Sequence, residues 1–570
     1  MNAGTPRVVA HVDLDAFYCA VERVRDPSLA GVPHGVSQYN PFEPGGVTNL
    51  KPEDNRRVDD GNGSLIAVSY EARALGVKRG MRGHDAKALA PALQVVQVPT
   101  SHGKADLSIY RAAGAQVLAL LSRVADVAER CSIDEAAFDL TKSSAAALQT
   151  RPWRDLVAAA RGTHIAGVDK MPDALLPRRD VRNGHATAPG SLDVSDLSAS
   201  WLDRPEELWT RQERHLVAGA ALLAEARATV LAQLGYTTSG GIASNKLLAK
   251  LCSGLKKPAS QTLLGPGHAT AMLLQDLPLS RLRGLGGDLG HRVASELCIS
   301  TAGELAAVPH PRLCALFGDE TAGRLFALAR GLSDDPVKER EVTNSVQTSK
   351  TFRGPLALRA LPEVHHWLRE LASELEERLG DDHAHSRRHP KLLTVSVNPH
   401  DGQHFSRSCP MSRLPPSAGA MADDAFALVR RWAGSLSGPW AIVGLGLGAS
   451  SFEEELAGMR SITEFLQAKP AGEGTEAGAL DEAQQQQPPA SPGGLRRFFQ
   501  PAATSPGAVP CGRCGRMLKP GCEAEHADWH FAMDLSRREP GQAARPVGEE
   551  QQEAPKKRRA GPLDAHFRRA

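Results

Sequence analysis

Apolar and polar residues recur with regular periods over residues 1–455, and short turn-rich segments separate these stretches. The run VVAHVDLDAFY from Val8 and the run LLTVSV from Leu392 have the apolar, β-branched character of strands. The run EVHHWLRELASELEERL from Glu363 repeats its apolar residues every three or four positions, which predicts an amphipathic helix. This part of the chain is therefore expected to fold.

The regular pattern ends after this part. Pro, Gly, Ala and Gln dominate the next stretch, which has too few apolar residues for a core, so residues 456–508 are predicted to be a disordered linker. A compact segment of cysteine and histidine follows within 509–536, and a polar tail fills 537–570. Two further stretches, 40–63 and 170–195, have the composition of insertions and are predicted to be surface loops with little bearing on the chemistry.

Composition sets bounds on this picture. The 570 residues correspond to roughly four domains at about 150 residues each. Hydrophobic residues at 41% and charged residues at 23% are typical of a soluble protein. No run reaches the apolar length of about 18 residues that a membrane span needs, so a transmembrane protein is not expected. With 67 Lys and Arg against 65 Asp and Glu, the net charge of +2 neither favours nor excludes a polyanionic partner.

Cysteine usage and the N-terminus bear on location. The nine cysteines are few and odd in number, and most are scattered along the chain. This argues against a disulfide framework and favours a reducing compartment. The N-terminal run MNAGTPRVVAHVDLDAFY reaches Asp13 without an apolar signal core. We therefore expect an intracellular protein.

Two acidic pairs lie in predicted strands. The run HVDLDAFY carries Asp13 and Asp15, which strand alternation would place on one face. The run CSIDEAAFDL carries adjacent Asp134 and Glu135, which would face opposite ways on a regular strand, so a hairpin turn or bulge is needed there. Two divalent cations such as Mg²⁺, held by oxygen ligands, can clamp both the attacking and the leaving oxygen of a phosphoryl transfer. Taken alone, either pair is also compatible with a solvated turn.

Four further runs place these pairs in a series: QY at 38–39, AVSYEARALGVKR from Ala67, GIASNKLLAKL from Gly241 and LKKP from Leu255. Together with VDLDAFY and SIDEAAFDLT they follow the order and approximate spacing of Y-family DNA polymerases. The chain resembles this family over about 1–450 and again at 511–533. The resemblance implies a multi-domain α+β protein, a right-hand polymerase followed by a disordered linker and a small zinc finger.

The resemblance also implies a division into domains. The expected domains are a palm (1–17 and 107–264), fingers (18–106, with the insertion 40–63), a thumb with a helix-hairpin-helix (265–338), a little finger (339–455), the linker (456–508), a ubiquitin-binding zinc finger (509–536) and a disordered basic tail (537–570). The run GLGG at 284–287 suits a thumb hairpin that offers backbone N–H groups to a phosphate, although such a run also forms plain tight turns. Lys350 and Arg353 suit contact between the little finger and the duplex backbone, whereas 381–390 reads as a solvated loop.

By resemblance, the ligands of two Mg²⁺ ions are Asp13, Asp134, Glu135 and the backbone carbonyl of Leu14. Asp15 then becomes a neighbour of the site, contrary to the pairing that strand alternation alone suggests. The implied reaction is attack of a primer 3′-hydroxyl on the α-phosphate of a deoxynucleotide, with release of pyrophosphate. The metals would do most of the electrostatic work, so no protein general base is assigned.

A second group of residues is implied to contact the incoming nucleotide and the template. Tyr18 would stack against the sugar and exclude a 2′-hydroxyl, unless it is only an aromatic filler between palm and fingers. The remaining contacts are Tyr70, Arg73 and Lys257 at the triphosphate, Arg79 over the incoming base and Gln38 near the templating base. Arg and Lys suit a triphosphate because one offers a fixed planar fork and the other a mobile point charge. Without the resemblance, Arg73 and Arg79 would read as a solvated basic helix end.

The segment from Cys511 to Leu535 carries C-x2-C, eleven residues and H-x3-H, the spacing of a tetrahedral structural zinc site. The predicted Zn²⁺ ligands are Cys511, Cys514, His526 and His530, with Cys522 as a spare thiol. So short a segment has almost no core, and the metal would fold it. The run EHADWHFAMDL resembles a ubiquitin-binding zinc finger, which implies partner contacts at Asp528 and Phe531. A DNA-binding finger shares the spacing, but this helix carries acidic residues where such fingers usually carry basic ones.

Three short segments, SITEFL, GLRRFF and PLDAHF, resemble degenerate sliding-clamp-binding peptides, with a generic apolar patch as the alternative. The best of them offers Leu495, Phe498 and Phe499. The run KKRR at 556–559 fits nuclear import, with a solvated charge run as the alternative. The predicted location is the nucleus.

The resemblance as a whole predicts a translesion DNA polymerase that adds deoxynucleotides opposite damaged template, with ultraviolet pyrimidine dimers as the expected lesion. Low fidelity is expected because the sequence offers no second acidic cluster typical of a proofreading exonuclease. The expected partners are primer-template DNA, deoxynucleoside triphosphates, and ubiquitin or a ubiquitinated sliding clamp, with no membrane. Two alternatives stay open: a non-catalytic adaptor that keeps the polymerase fold, and a sibling Y-family polymerase with another lesion preference.

Overall fold

The fold is taken from a computed structural model of the chain. The described residues are 4–42, 49–58, 63–167, 201–339 and 343–454, together with the backbone of 509–510 and 517–518. The chain divides into two units, Met1–Phe465 and Leu466–Ala570. The predicted linker at 456–508, the predicted tail at 537–570 and the predicted loop at 170–195 lie outside the described residues.

Strands and helices are numbered in chain order. The strands are β1 Val9–Leu14, β2 His34–Ser37, β3 Leu65–Val68, β4 Gln94–Gln97, β5 Thr100–Ser101, β6 Lys104–Ala105, β7 Val127–Arg130, β8 Glu135–Asp139, β9 Thr163–Ile165, β10 Thr238–Ala243, β11 Gln261–Leu263, β12 Ser345–Thr351, β13 Arg388–Pro399, β14 Phe405–Pro410, β15 Ile442–Glu454, β16 Val509–Pro510 and β17 Met517–Leu518. The helices are α1 Phe17–Arg25, α2 Tyr70–Ala74, α3 Gly83–Leu89, α4 Ser108–Leu121, α5 Thr141–Thr150, α6 Trp153–Ala159, α7 Arg211–Leu234, α8 Lys246–Ser253, α9 His268–Gln275, α10 Asp288–Leu297, α11 Ala302–Ala307, α12 His310–Phe317, α13 Asp319–Ala329, α14 Leu361–Ser386 and α15 Ala418–Gly434.

A six-stranded mixed sheet in the order β7-β8-β1-β10-β11-β9 forms the palm. Its central strand β1 pairs antiparallel with β8 on one side and with β10 on the other. Successive side chains of a strand point to opposite faces. Val12 and Leu14 therefore join the main apolar core with α4 to α7, whereas Val9 joins a smaller core with α8. By the same alternation, His11 and Asp13 lie on the face that α8 partly covers.

Helix α7 has the length and apolar composition of a membrane-spanning helix. It is also the longest palm helix, and 56% of its most apolar window is buried inside the protein. Thr210 and Glu213 close its first turn with a capping box, and Leu216 and Val217 pack in the palm core. Because a buried core helix passes the same test of length and composition, the finding carries little weight for a membrane location.

A three-stranded sheet in the order β3-β2-β4 and the helices α2 and α3 form the fingers. Leu65 and Val68 of β3 pack with Ala72 of α2 in a separate apolar core. The hydroxyl of Ser69 caps α2 by accepting a hydrogen bond from the Ala72 amide. This cap sets Tyr70 at the first turn of α2, on the side of the sheet nearest the palm carboxylates described below.

The predicted surface loop at 40–63 is described at 40–42, 49–58 and 63, and residues 49–58 form no helix or strand and are mostly exposed, with Arg56 as the buried exception. This segment runs beside β4 and β5, because Leu50 forms a bridge with Thr100 and Arg57 forms one with Val96. Arg56 is only 6% exposed, and its guanidinium forks onto the Glu22 carboxylate of α1. The segment therefore supplies a buried ion pair to the body of the protein.

Five helices, α9 to α13, form the thumb around an apolar core that includes Leu282, Leu305 and Leu325. The predicted glycine-rich turn leads directly into α10. Gly284 has a φ of 88°, in the left-handed region that glycine adopts without steric cost. The exit of the thumb is tied to the palm, since the Asn245 side chain donates a 2.8 Å hydrogen bond to the Gly331 carbonyl.

A four-stranded antiparallel sheet in the order β12-β15-β13-β14, covered by α14 and α15, forms the little finger. Leu445 and Leu447 of β15 point into its core. The alternating glycines point the other way, where the neighbouring strands approach closely: a Cβ at Gly446 would lie 2.7 Å from the Ser396 hydroxyl. The GLGLG run thus follows from packing on one face and close strand contact on the other.

The prediction of a solvated loop at 381–390 is wrong. Helix α14 continues to Ser386, and β13 begins at Arg388, so the connection is one residue with a positive φ, Arg387. The guanidinium of Arg388 forks onto Asp382 at 2.7 Å and lies over the Phe452 ring. Two of the charged residues that suggested a loop, Asp382 and Arg388, are therefore paired at a helix-strand junction.

Lys350 does not have the exposure that contact with a DNA backbone requires. Its Nζ donates hydrogen bonds to the Tyr39 hydroxyl at 3.0 Å and to the Gly103 carbonyl, and it lies 4.3 Å from the centre of the Trp367 ring. Burial lowers the pKa of Lys350 to about 8. The prediction is wrong for this residue, which instead links the little finger to the fingers, whereas Arg353 is exposed as expected.

Candidate active site

The acidic residues meet where β1 runs beside the β7-β8 hairpin. In the antiparallel register, Asp13 lies directly opposite Glu135, the first residue of β8. The turn at 131–134 ends with Asp134, whose carbonyl accepts a 3.0 Å hydrogen bond from the Leu14 amide. This is the hairpin turn that adjacent Asp134 and Glu135 require, because it brings both residues to the end of β1.

Two lysines lie against the strand carboxylates. Lys257 donates a hydrogen bond to Asp13, and Lys250 Nζ lies 2.7 Å from Glu135 Oε1. Burial raises the pKa of Asp13 to about 6, and the neighbouring Glu135 adds to this while Lys257 opposes it. Burial alone would also raise the pKa of Glu135, but the hydrogen bond and charge of Lys250 hold it below its ordinary value. Asp13 is thus the harder of the two facing carboxylates to ionise, whereas Lys250 favours the ionised form of Glu135.

The donor atoms fit magnesium. Three carboxylates and the backbone carbonyl of Leu14 supply the hard oxygen ligands that Mg²⁺ prefers. The Asp134 carboxylate is held inside its own turn, where it accepts a 2.6 Å hydrogen bond from the Ser132 hydroxyl. Among the described residues, no three His, Cys, Asp or Glu side chains are already gathered to hold one ion. To join Asp13 and Glu135 around one ion, the Asp134 carboxylate would have to turn away from Ser132.

Two neighbours of the site, His11 and Lys250, were not predicted from the motifs. His11 Nδ1 lies 2.8 Å from the Ser253 hydroxyl, which itself donates to the Lys250 carbonyl. Because the Ser253 hydroxyl donates its proton elsewhere, the His11 proton is assigned to Nδ1. The unprotonated Nε2 has no hydrogen-bond partner and lies 3.9 Å from Glu135. Burial, and then the charge of Lys250, lowers the pKa of His11 to about 3, so the ring is neutral. Strand alternation, which places His11 on the same face as Asp13, could have predicted that His11 lies near the site.

Asp15 does not join the acidic cluster. Strand β1 ends at Leu14, so the side chain of residue 15 no longer follows the alternation. The Asp15 carboxylate is 3% exposed and accepts hydrogen bonds from the Ser239 hydroxyl at 2.6 Å and the Ala259 amide at 2.8 Å. It thereby fastens the loop that carries Lys257 to the palm sheet.

The predicted nucleotide contacts lie on α1 and around α2. Tyr18 is partly buried and stacks on Tyr110 with ring centres 4.1 Å apart. Tyr70 begins α2, and the Arg73 guanidinium lies 4.6 Å from the centre of its ring. Arg73 and Arg79 are both exposed. Both guanidinium groups are therefore accessible to an anionic ligand.

Electrostatic effects tie these residues to the acidic cluster. Burial, and then the charge of Asp15, raises the pKa of Tyr70 to about 12. Burial and the charge of Asp134 raise the pKa of Tyr18, while Arg79 opposes them. The structure therefore brings Tyr18 and Tyr70 within electrostatic reach of the carboxylates and Arg79 within reach of Tyr18, and Lys257 contacts Asp13 directly.

Gln38 follows β2 at the edge of the fingers. Its amide donates a 2.9 Å hydrogen bond to the Ser64 carbonyl. Its own carbonyl lies so near Gly63 that a Cβ there would be 1.8 Å away, which only glycine permits. The next residue, Tyr39, accepts the hydrogen bond from Lys350. The predicted template-side residue thus lies where the fingers meet the little finger.

The remaining predicted sites lie outside the described residues. These are the zinc ligands Cys511, Cys514, His526 and His530, the ubiquitin contacts Asp528 and Phe531, and the clamp contacts Leu495, Phe498 and Phe499. In the second unit, β16 and β17 pair antiparallel, and in sequence they flank the C-x2-C motif.

Four family models match the chain. The impB/mucB/samB family matches residues 12–254, and its C-terminal domain matches 343–462. Between them, the model DNApol eta/Rev1, HhH motif, matches 277–332. The Ubiquitin-Binding Zinc Finger model matches 507–538. The acidic cluster falls within the first match, and the predicted zinc ligands fall within the last.

Curated relatives match most of the chain. DNA polymerase eta of Arabidopsis thaliana is 36% identical over 492 residues, which is 82% of this chain and 67% of that protein. DNA polymerase eta of Drosophila melanogaster is 34% identical over 414 residues, 70% of this chain and 43% of that protein. DNA polymerase IV of Xanthomonas oryzae pv. oryzae is 27% identical over 452 residues, 79% of this chain and 96% of that protein.

The right-hand fold, the acidic cluster and these matches define a DNA-directed DNA polymerase of the translesion class. Within that class, the chain belongs to the DNA polymerase eta family. The predicted family, fold class and enzyme class are thus confirmed. The predicted cofactors, two Mg²⁺ and one Zn²⁺, are also confirmed. The predicted partners of these domains, primer-template DNA, deoxynucleoside triphosphates and ubiquitin, are confirmed as well.

Proposed function

We propose that this chain extends primers past ultraviolet pyrimidine dimers, and that Asp13, Asp134, Glu135 and the Leu14 carbonyl hold its two Mg²⁺ ions. The register that sets Asp13 opposite Glu135, with Asp134 in the adjoining turn, is the observation that carries the ligand assignment. The eta relatives support the lesion assignment. A primer 3′-hydroxyl attacks the α-phosphate of the deoxynucleotide, and pyrophosphate leaves.

Mg²⁺ held by Asp13, Asp134, Glu135 and the Leu14 carbonyl would supply a lowered pKa for the attacking hydroxyl and positive charge for the leaving group. The protein's part is to keep the carboxylates ionised and in place. Asp13, with a pKa of about 6, is deprotonated at neutral pH. Lys250 keeps Glu135 ionised, and Asp15 fastens the loop of Lys257. A protein general base is unnecessary, and none is assigned.

Resemblance to the family supports the triphosphate and base contacts. Lys257 lies on Asp13, at the boundary between the carboxylates and the space beside α2, where a mobile ammonium can reach a phosphate. Arg73, steadied by its contact with Tyr70, offers a planar fork to the same triphosphate. Arg79 lies over the incoming base and Gln38 near the templating base.

The C-terminal part serves recruitment. The zinc finger presents Asp528 and Phe531 to ubiquitin, including ubiquitin on a sliding clamp, and Leu495, Phe498 and Phe499 bind the clamp itself. The run KKRR at 556–559 directs the chain to the nucleus. The domain boundaries given above, with the palm interrupted by the fingers, are part of this proposal, and the two palm segments both contribute strands to one sheet.

Primer extension by the purified full-length chain tests the proposal. The assay uses Mg²⁺, undamaged and thymine-dimer templates, and an Asp134→Ala, Glu135→Ala double variant. We expect extension across the dimer, and a loss of roughly 100-fold or more in the double variant because the metal ligands are gone. An exposed acid away from the cluster, Glu207, supplies the matched control, since Glu207→Ala should keep full activity.

Each other outcome identifies which assignment is wrong. Extension that stops at the dimer keeps the polymerase and gives the chain the lesion preference of a sibling enzyme. Extension that persists in the double variant contradicts the ligand assignment. Absence of any metal-dependent extension by the unaltered chain would favour the non-catalytic adaptor.

A further inference from the structure

Helix α1 clamps a buried tyrosine of α4. Tyr18 and Glu22 are four residues apart, so they lie on one face of α1 a single turn from each other. The ring of Tyr18 stacks on the ring of Tyr110 with an angle of 22° between their planes. The Tyr110 hydroxyl donates a hydrogen bond to Glu22 Oε1. Tyr110 is therefore held at its face and at its hydroxyl by the same helix.

Arg56 holds the other side of Glu22. Its Nη1 donates to Glu22 Oε1 at 2.9 Å and its Nη2 to Oε2 at 2.6 Å, a bidentate fork. Nη1 also donates to the Gln97 carbonyl at 2.7 Å, and Nε donates to the Pro52 carbonyl at 3.3 Å. Tyr110, Glu22 and Arg56 are 0%, 2% and 6% exposed. The guanidinium is thus fixed by the backbone on one side and fixes the carboxylate on the other.

The Arg56 guanidinium supplies the positive charge that pairs with the Glu22 carboxylate at this depth. A buried carboxylate without a cation is unfavourable and takes up a proton instead. Burial and the charge of Glu22 raise the pKa of Tyr110, which keeps its hydroxyl protonated and able to donate. The position of the Tyr110 ring, and of the Tyr18 ring stacked on it, therefore depends on a side chain from the segment 49–58.

We propose that Arg56 is a positioning residue for sugar selection, acting through Glu22 and Tyr110 on the ring of Tyr18. The inference rests on the proposed role of Tyr18 as the residue that excludes a 2′-hydroxyl. An aromatic ring excludes a hydroxyl group only if it cannot move back, and the stacked Tyr110 ring is what stands behind it. The segment that looked like a peripheral insertion thereby sets how firmly ribonucleotides are rejected.

The test is the ratio of kcat/KM for dATP to that for ATP, measured by single-nucleotide insertion with the full-length chain. Arg56→Met should lower this ratio about tenfold, less than the roughly 100-fold that a 1 Å misplacement can cost. The Arg56→Met, Glu22→Gln double variant removes both charges and gives a folded protein if the single variant is unstable. Tyr110→Phe, which keeps the ring and loses its anchor, should also lower the ratio. Arg56→Lys keeps the positive charge but not the bidentate fork, so its ratio should lie between those of Arg56→Met and the unaltered chain.

Matched controls separate positioning from general damage. Arg57→Met changes an exposed arginine of the same segment, paired with Asp26, and should leave the ratio unchanged. Tyr18→Ala should lower the ratio more than any Arg56 variant. A positioning effect appears as a higher kcat for ATP with dATP insertion nearly unaltered, whereas structural damage lowers kcat for both nucleotides.

The outcomes distinguish this inference from the proposed function. If Tyr18→Ala lowers the ratio and the folded Arg56 variants stay within about twofold of the unaltered chain, the relay through Glu22 is wrong and the proposed function stands. If Tyr18→Ala leaves the ratio unchanged, Tyr18 does not select the sugar and the inference falls with that role. If the unaltered chain inserts neither nucleotide, the proposed function itself is wrong.

Discussion

Lys246 and Glu129 form a buried ion pair whose loss should destabilise the palm. Both residues are 8% exposed, and Lys246 Nζ lies 2.8 Å from Glu129 Oε2. Asp335 lies 3.1 Å from the same ammonium, and the Lys338 amide donates to Glu129 at 2.8 Å. The pair thus ties the start of α8 to β7 and to the segment that leaves the thumb. We predict that Lys246→Met lowers the free energy of unfolding by about 3 kcal/mol.

The magnitude follows from which charges are left unpaired. Removing one member of a buried pair typically costs about 3 to 5 kcal/mol, and the lower end applies here because the Lys338 amide still binds the carboxylate. Glu129→Gln should lower the free energy of unfolding by about 2 kcal/mol, since Asp335 remains as a partner for Lys246. The Asp335 side chain is 43% exposed and hydrated. The double variant leaves no buried charge and should cost only about 1 kcal/mol, less than either single change.

Thermal unfolding of the full-length chain measures this difference. At about 2 to 4 °C per kcal/mol for a domain of this size, Lys246→Met should lower the palm transition by roughly 6 to 12 °C at neutral pH. The exposed Lys142→Met is the matched control and should not move it. The reasoning would be refuted if Lys246→Met and the double variant lowered Tm equally. It would also be refuted if Lys246→Met lowered Tm by less than about 1 °C.

The pH dependence gives the same pair a second test. Burial would raise the pKa of Glu129, but the hydrogen bond from Lys246 outweighs it and holds the pKa below its ordinary value of 4.5. A carboxylate with a lowered pKa contributes stability that is present above its unfolded pKa and is lost as the pH falls through its folded pKa. The difference in Tm between the unaltered chain and Glu129→Gln should therefore shrink as the pH falls from about 5 to about 3. A constant difference would contradict this.

Three further changes have expected outcomes. Lys250→Met removes a positive charge 2.7 Å from Glu135, so Mg²⁺ should bind about threefold to fivefold more tightly in calorimetric titration, and weaker binding would contradict the site geometry. Leu447→Ala empties a position 2% exposed in the little-finger core and should cost about 2 to 5 kcal/mol in denaturant unfolding, whereas exposed Leu414→Ala should cost little. Cys511→Ser should abolish bound zinc and ubiquitin capture, measured by metal analysis and pull-down, without lowering primer extension on undamaged template.

Local patterns predicted the parts of the fold and site that neighbouring residues determine. Alternation in VVAHVDLDAFY predicted β1, and the helical period from Glu363 predicted α14. The adjacent pair Asp134 and Glu135 required a turn, and the structure has a hairpin there. In each case the residues that decide the conformation lie within about ten positions of one another, so the sequence alone contains the information.

Contacts between distant segments were not predictable in this way. Arg56 is buried because Glu22, 34 positions away, supplies its partner. The charges of 381–390 suggested a solvated loop because the pairing of Asp382 with Arg388 depends on where α14 ends. Lys350 is the instructive case, since it shares a face of β12 with the buried residues Val346 and Thr348. Alternation could have indicated its burial, but its positive charge suggested DNA.

The charges around β1 indicate how metal and nucleotide binding depend on each other. Three carboxylates, Asp13, Asp134 and Glu135, and two ammonium groups, Lys250 and Lys257, leave the cluster with a net charge of about −1. Two Mg²⁺ alone would change this to about +3 in a half-buried cleft, which is unfavourable. A triphosphate brings about four negative charges and restores the balance. Tight binding of both metal ions is therefore expected only with the nucleotide, and the lysines that hold the carboxylates beforehand become available to its phosphates.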